Sequence, residues 1–299
     1  MRAGRGAAHP LPVTGPPAAL DSLRGLALGD CFGQTWFRPL GDLPSRRVAP
    51  GPWPWTDDTA MALVLHRVLV EHGEVDRDAL AAGFAAAYAR DPHRHYGASM
   101  HDVLAALGAG VPWRAAAGAA FGGAGSWGNG AAMRVAPLGA WFADDLDRVA
   151  AAAVRSAEVT HAHPEGAAGA VAVALAAAVA AGRDTPGEGL IPAVLERVPA
   201  GRVRDGLLRA ARVGFGTDPR NAGGTLGTGR RISAADTVPF ALWCAARHLD
   251  DLVEALWATA AAGGDVDTTC AVVGGVVAAR TGLDGVPADW LDRCEPVGP

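Results

Sequence analysis

The sequence predicts an all-α protein with one compact, multi-helix domain, and three observations carry that expectation. Apolar residues recur at helical spacing along most of the chain, alternating β-branched runs bounded by turns are almost absent, and Ala and Gly fill the expected helices. Small residues on buried faces let helix axes approach closely, which favours a core of helix packed on helix. Hydrophobic residues make up 50% and charged residues 19%, ample apolar material for a core. A length of 299 residues allows two domains or one large one, and no linker between two cores is visible.

Taken in order, residues 1–17 are rich in Gly, Ala and Pro and lack a continuous apolar run, so a disordered tail and no signal peptide are expected. The domain then covers residues 18–299. Helices are expected over Leu20–Phe32, Thr59–Val70, Arg77–Arg90 and Ser99–Leu107. Pro112 suits the first position of a segment running through Ala120, where its missing N–H costs nothing. Further helices are expected over Ala131–Phe142, Asp145–Glu158, Glu165–Ala181, Arg204–Val213, Ala234–Leu249, Asp251–Ala261 and Thr268–Thr281. The apolar run Ala167–Ala181 is Ala-rich and shorter than a bilayer span, so it reads as a buried helix and not a membrane segment. Loops are expected where Gly, Pro and polar residues gather, at Arg38–Trp55, Asp91–Gly97, Gly122–Gly130, Thr160–Pro164 and Gly214–Arg231. Gly223–Gly229 carries four glycines, but no strand precedes it, so it makes a poor dinucleotide-binding fingerprint.

The net charge of −5 argues against a partner bound through bulk charge, nucleic acid above all. All 26 basic residues are arginine. The four cysteines, Cys31, Cys244, Cys270 and Cys294, form no C-x-x-C pair and read as reduced thiols of a cytoplasmic protein. A monomer is the favoured oligomeric state.

Chemistry is concentrated in two acidic clusters, Thr56-Asp57-Asp58-Thr59 and Gly264-Asp265-Val266-Asp267-Thr268-Thr269. Each sets two carboxylates and threonine hydroxyls directly ahead of an apolar, helix-like run, and neither core contains Cys or His. Oxygen-only donors suit hard divalent cations, Mg²⁺ or Mn²⁺, and not zinc. Four carboxylates balance two such cations, so a two-metal site closed by bringing the clusters together is one reading. The other is that Asp and Thr here are N-caps. The two are compatible, because the helix macrodipole favours the ionised carboxylate that a metal needs.

Five segments taken together resemble the ADP-ribosylglycohydrolase family. They are Gly25-Leu26-Ala27-Leu28-Gly29-Asp30-Cys31-Phe32-Gly33, Trp55-Thr56-Asp57-Asp58-Thr59, Gly125-Ser126-Trp127-Gly128-Asn129-Gly130-Ala131-Ala132-Met133-Arg134, Asp236-Thr237-Val238-Pro239-Phe240-Ala241-Leu242 and Gly263-Gly264-Asp265-Val266-Asp267-Thr268-Thr269. The resemblance implies an all-α fold with a binuclear Mg²⁺ or Mn²⁺ centre held by Thr56, Asp57, Asp58, Asp265, Asp267 and Thr268, with Asp267 bridging. It also implies an adenine sandwiched by Phe121 and Trp127, and a substrate-side place for His161. Gly128 and Asn129 belong to the same substrate-binding set. Backbone amides of Gly125 and Ser126, and of Tyr96 and Gly97 before the Ser99 helix, are placed to cradle a pyrophosphate that no lysine is present to hold.

The implied activity is hydrolysis of the glycosidic bond at C1″ of ADP-ribose, releasing it from a protein, metabolite or nucleic-acid acceptor, with Asp58, Asp265 and Asp267 as catalytic carboxylates. Alternatives are a non-catalytic ADP-ribose binder and a two-metal phosphohydrolase. The sequence departs from the family pattern at one place. Some members carry a glutamate a few residues after the G-D-x-x-G segment, where this chain reads Gln34-Thr35-Trp36-Phe37. The residue that handles the proton is therefore not assigned by the resemblance.

Overall fold

A computed structural model describes residues 14–38 and 40–297. Residues 1–13 of the expected tail lie outside the described residues. Residues 14–16 are seen against the domain, where His66 Nε2 donates a hydrogen bond to Thr14 O. The chain then forms α1 (Pro17–Gln34), a 3-10 turn (Thr35–Phe37), α2 (Asp57–His72), α3 (Arg77–Arg90), α4 (Ala98–Gly108), α5 (Trp113–Ala119), a second 3-10 turn (Ala120–Gly123), α6 (Gly130–Met133) and α7 (Ala136–Trp141). It continues through α8 (Leu146–Glu158), α9 (Pro164–Gly182), α10 (Gly187–Leu195), α11 (Arg202–Ala210), α12 (Pro219–Leu226), α13 (Ala234–Arg247), α14 (Leu252–Ala261), α15 (Val266–Thr281) and α16 (Ala288–Arg293). No strand occurs among the described residues, only isolated bridges at Asp42–Arg47 and Trp53–Cys294.

Short polar side chains start most of these helices. Asp76, Asp145, Asp218 and Asp251 each accept bonds from backbone N–H groups of the first turn, as the orphan donors of a helix start require. The expected Ala131–Phe142 helix is two short ones instead. Pro137 has no N–H for the carbonyl of Met133, so the helical ladder is interrupted there. Pro112 is the N-cap of α5, one position ahead of the expected one. Sequence reading missed α10 and α12, whose glycines and prolines read locally as loop, and α16, which is only six residues long.

The axis of the fold is the contact between α1 and α15. Gly25, Gly29 and Gly33 line one edge of α1, and a Cβ at any of them would strike α15 backbone, at Gly274, Cys270 and Asp267 respectively. Their i, i+4 spacing makes a flat seam on which the two backbones nearly touch. The outer face of α15 packs on α14 and α13, and α9 packs on α7, α8, α13 and α15. α9 is long and apolar enough to cross a membrane by length and composition, but it is largely buried within the protein. All four cysteines are free thiols.

Candidate metal centre and substrate loops

The seam brings the two acidic clusters together. α2 begins with Thr56 as its N-cap and Asp57 and Asp58 in its first turn, and α15 begins just after Asp265. Gly33, at the end of α1, packs on the backbone of Val266 and Asp267 and so fixes the start of α15. A third element contributes a carboxylate that sequence reasoning left without a role. Asp30 of α1 is fully buried, and its Oδ2 accepts from Thr56 N at 2.9 Å, Thr59 N at 3.1 Å and Thr59 Oγ1 at 2.6 Å. Its signal was the Gly29-Asp30 pair inside the first family-like segment.

Electrostatics show how near these groups lie. Burial, then the neighbouring Asp30 and Asp267 carboxylates, hold Asp57 and Asp58 well above the usual carboxylate range. Asp265 is pushed up to about 7 by burial and then by Asp267. Asp30 and Asp267 are each pushed up to about 6, again chiefly by burial. Asp58 Oδ2 accepts from Thr56 Oγ1 at 2.9 Å, whereas Asp58 Oδ1 and Asp30 Oδ1 are buried with no hydrogen-bond partner. Thr268 is buried beside them.

A buried, unneutralised carboxylate cluster is costly, and orphaned oxygens add to the cost. Among the described residues no three Asp, Glu, His or Cys side chains converge closely enough to hold an ion as they stand. The donor set nevertheless fits a hard cation. Every candidate donor is oxygen, two carboxylate oxygens lack partners, and among the described residues no basic side chain is bonded to the cluster.

The loops expected to bind substrate reach the same place. Asn129 Nδ2 bonds Asp265 Oδ2 at 2.6 Å and Thr237 Oγ1 at 3.1 Å, so the Gly128–Gly130 turn is tied to the acidic cluster. Asp265 is also held from behind, with its N–H donating to Thr228 O at 2.9 Å. That approach requires Gly264, which sits at φ 93° against the Thr228 backbone. Tyr96 is buried, and burial followed by the Asp57 charge pushes its phenol up to about 12. Gly97 caps the start of α4. Gly125 packs on the Ala162–His163 backbone, and Ser126 Oγ accepts from Gly128 N at 3.2 Å.

Two substrate expectations take a different form in the structure. Phe121 and Trp127 do not stand apart around an open slot. Their ring centroids are 4.6 Å apart at 36°, so the two exposed rings bury area on each other. His161 lies beneath the glycine turn, not on an open wall, with Gly128 and Gly130 packed directly over its ring. Thr160 Oγ1 accepts from Arg134 at 3.0 Å and shares a hydrogen bond with His161 Nδ1 at 2.8 Å. Burial and then Arg134 push His161 down to about 3, and it stays neutral. Arg134 is itself fully buried and is pushed down to about 9 by that burial, with Asp57 opposing.

A cleft of about 800 Å³ opens beside Trp127 and is lined by Arg202, Arg209 and Arg231 among others. None of the five clustered carboxylates, Asp30, Asp57, Asp58, Asp265 and Asp267, lines it, so it adjoins the chemical site without being it. Phe37, in the segment where some family members carry a carboxylate, is 53% exposed at the end of the first 3-10 turn.

Known proteins resemble this chain over most of its length. Human ADP-ribosylhydrolase ARH3 is 30% identical over 328 residues, covering 91% of this chain and 88% of its own. ADP-ribosylarginine hydrolase Tri1 of Pseudomonas putida is 26% identical, covering 93% of this chain and 75% of its own. A solved structure described as an ADP-ribosylglycohydrolase-related protein complex superposes with a TM-score of 0.69 at 28% identity, covering 93% of this chain and 92% of that one. The family model for ADP-ribosylglycohydrolase matches residues 17–298, a span that takes in both acidic helix starts, and the chain therefore belongs to the ADP-ribosylglycohydrolase family.

Proposed function

We propose that this chain is a metal-dependent hydrolase of the glycosidic bond at C1″ of ADP-ribose, freeing ADP-ribose from a modified acceptor. The observation that carries the reading is the gathering of Asp30, Asp57, Asp58, Asp265 and Asp267 from α1, α2 and α15 under a glycine loop tied to Asp265 by Asn129. Thr56, Asp57, Asp58, Asp265, Asp267 and Thr268 would hold Mg²⁺ or Mn²⁺, and bound cations would supply Lewis-acid stabilisation and a more acidic water. Asp58, Asp265 and Asp267 stabilise positive charge that develops at C1″ as the bond breaks. Asp30 anchors Thr56 and Thr59, and so orients Asp57 and Asp58. Amides of Gly97, Gly125 and Ser126 take the pyrophosphate.

The deciding experiment is a panel of arginine-, serine- and O-acetyl-linked ADP-ribose substrates assayed with Mg²⁺ or Mn²⁺ and after exhaustive chelation. Release of ADP-ribose that stops on chelation is expected. AMP as the product would point instead to a phosphohydrolase, and binding without turnover to a non-catalytic receptor. Within the panel, arginine-linked substrate should be cleaved faster than serine-linked, because its guanidinium leaves with less need of an added proton. Phe37→Glu restores a carboxylate near the scissile bond and should move the preference toward serine, leaving ADP-ribose affinity within about threefold. An unchanged preference in that variant would show that this segment does not govern the chemistry.

Adenine recognition has its own test. Phe121 and Trp127 are 51% and 40% exposed, so truncating either costs the fold little. Stacking on a base is worth about 1–3 kcal/mol, so Trp127→Ala should weaken ADP-ribose binding roughly 5- to 150-fold. The wild-type tryptophan emission should be quenched on binding. Equal affinity in the Phe121→Ala, Trp127→Ala double variant would put the adenine elsewhere.

A further inference from the structure

We infer that His95, held by Gln34 of the segment where the family's carboxylate is missing, is the proton-handling side chain of this site. The inference rests on the hydrolase reading above and adds the residue which that reading leaves open. Gln34 ends α1 immediately after Gly33, the residue packed on the backbone of Asp267. Its side-chain amide lies 3.2 Å from His95 Nε2. His95 in turn follows Arg94, whose carbonyl accepts the backbone N–H of Asp57 at 2.7 Å, and precedes Tyr96, which is buried near the same carboxylate. The Gln34–His95 pair thus joins two segments whose neighbouring residues, Gly33 and Arg94, pack on the start of α15 and bond the start of α2.

The loop that presents His95 is tied down through Arg94. Arg94 makes a two-pronged ion pair with Glu295 at 2.6 and 2.7 Å, bonds Trp55 O at 2.9 Å and stacks 3.6 Å above the Trp55 ring. It also meets Asp91 at 2.8 Å, so the charge on its own loop is already paired. The group that meets the imidazole is the Gln34 amide. His95 adopts φ 65°, the left-handed conformation that a side chain other than glycine's rarely takes. Strain of that kind persists where the surroundings impose it and is common at functional positions. The ring is exposed, unlike that of His161, and can meet a bound acceptor.

The step balances on these groups. The bond from C1″ to the acceptor atom breaks, its electron pair goes to that atom, and the protonated imidazole gives it a proton. Water adds to C1″, and the proton it releases returns to the imidazole. The neutral Gln34 amide can turn either its oxygen or its NH₂ to the ring, so it serves both protonation states of His95. Phe37 can do none of this.

His95→Gly tests the idea without endangering the fold, since glycine takes φ 65° freely. Turnover of an O-linked substrate should fall about 100-fold or more, ADP-ribose affinity should stay within about threefold, and added imidazole should recover part of the rate. Arginine-linked substrate should lose less. O-linked turnover within about threefold of wild type overturns the proposal. A second readout does not depend on turnover. The His95 imidazole resonances should move when ADP-ribose saturates the protein, and unmoved resonances overturn the proposal. Wild-type protein that cleaves no linkage at all would sink the hydrolase reading, and the imidazole spectrum would still decide for or against His95.

Discussion

Replacing Asp267 by Asn should lower kcat/KM by a factor of about 10³ or more and leave the fold intact or firmer. The two halves of that result have one cause. Asp267 is buried at the start of α15, and its Oδ1 accepts the backbone N–H of Thr268 at 2.9 Å. Asparagine keeps an acceptor oxygen in that place and the same shape, so the helix start survives. What disappears is one negative charge among five carboxylates that disfavour one another. Without a divalent cation the wild-type cluster opposes folding, and removing a charge relieves it by on the order of 1–3 kcal/mol.

The same physics sets a pH dependence for the chelated protein. Asp30 and Asp267 are raised to about 6 and Asp265 to about 7, above the ordinary carboxylate value. A raised carboxylate binds more protons in the folded state, so its contribution is present at low pH and lost as pH rises through the folded value. Thermal melts after chelation should therefore show stability falling from about pH 4 to about pH 7. Mg²⁺ or Mn²⁺ should raise Tm at pH 7.5, and Asp267→Asn should shrink that shift. Activity retained in Asp267→Asn, or a Tm indifferent to cations, would remove the metal from the account.

The second large effect is structural. Gly29→Val should abolish the folded state, because any Cβ at Gly29 runs into the carbonyl of Cys270. Overpacking ordinarily costs about 1–3 kcal/mol when side chains can shift. Here the obstacle is helix backbone, and Gly25 and Gly33 hold the same seam on either side. The loss should exceed about 3–5 kcal/mol, a large part of the 5–15 kcal/mol that keeps a domain folded. Gly118→Ala, on α5 with open space around it, is the matched control and should be neutral or stabilising by about 0.5–1 kcal/mol. Urea melts of both variants decide the point. A Gly29→Val protein as stable as the control would mean that α1 and α15 can separate at little cost, and the acidic clusters with them.

What the sequence determined by itself was local. Helical periodicity and Asp or Thr caps located most helices to within a few residues, as at Arg77–Arg90, where expected and observed bounds coincide. The paired clusters Asp57-Asp58 and Asp265-Val266-Asp267 were legible because residue type and order already state the chemistry of an oxygen-only donor set. Tertiary structure decided everything that depends on separations across the fold. Asp30 joins the cluster because α1 lies along α15, a consequence of three glycines whose role is invisible until a partner backbone is set against them. His161 is covered because the Gly128–Gly130 turn closes over it, and Phe121 meets Trp127 because their loop folds back on itself. His95 meets Gln34 although 61 positions separate them. Periodicity and capping act within a turn or two of helix, whereas which carboxylates share one dry, crowded place is set by how closely two helices can pack.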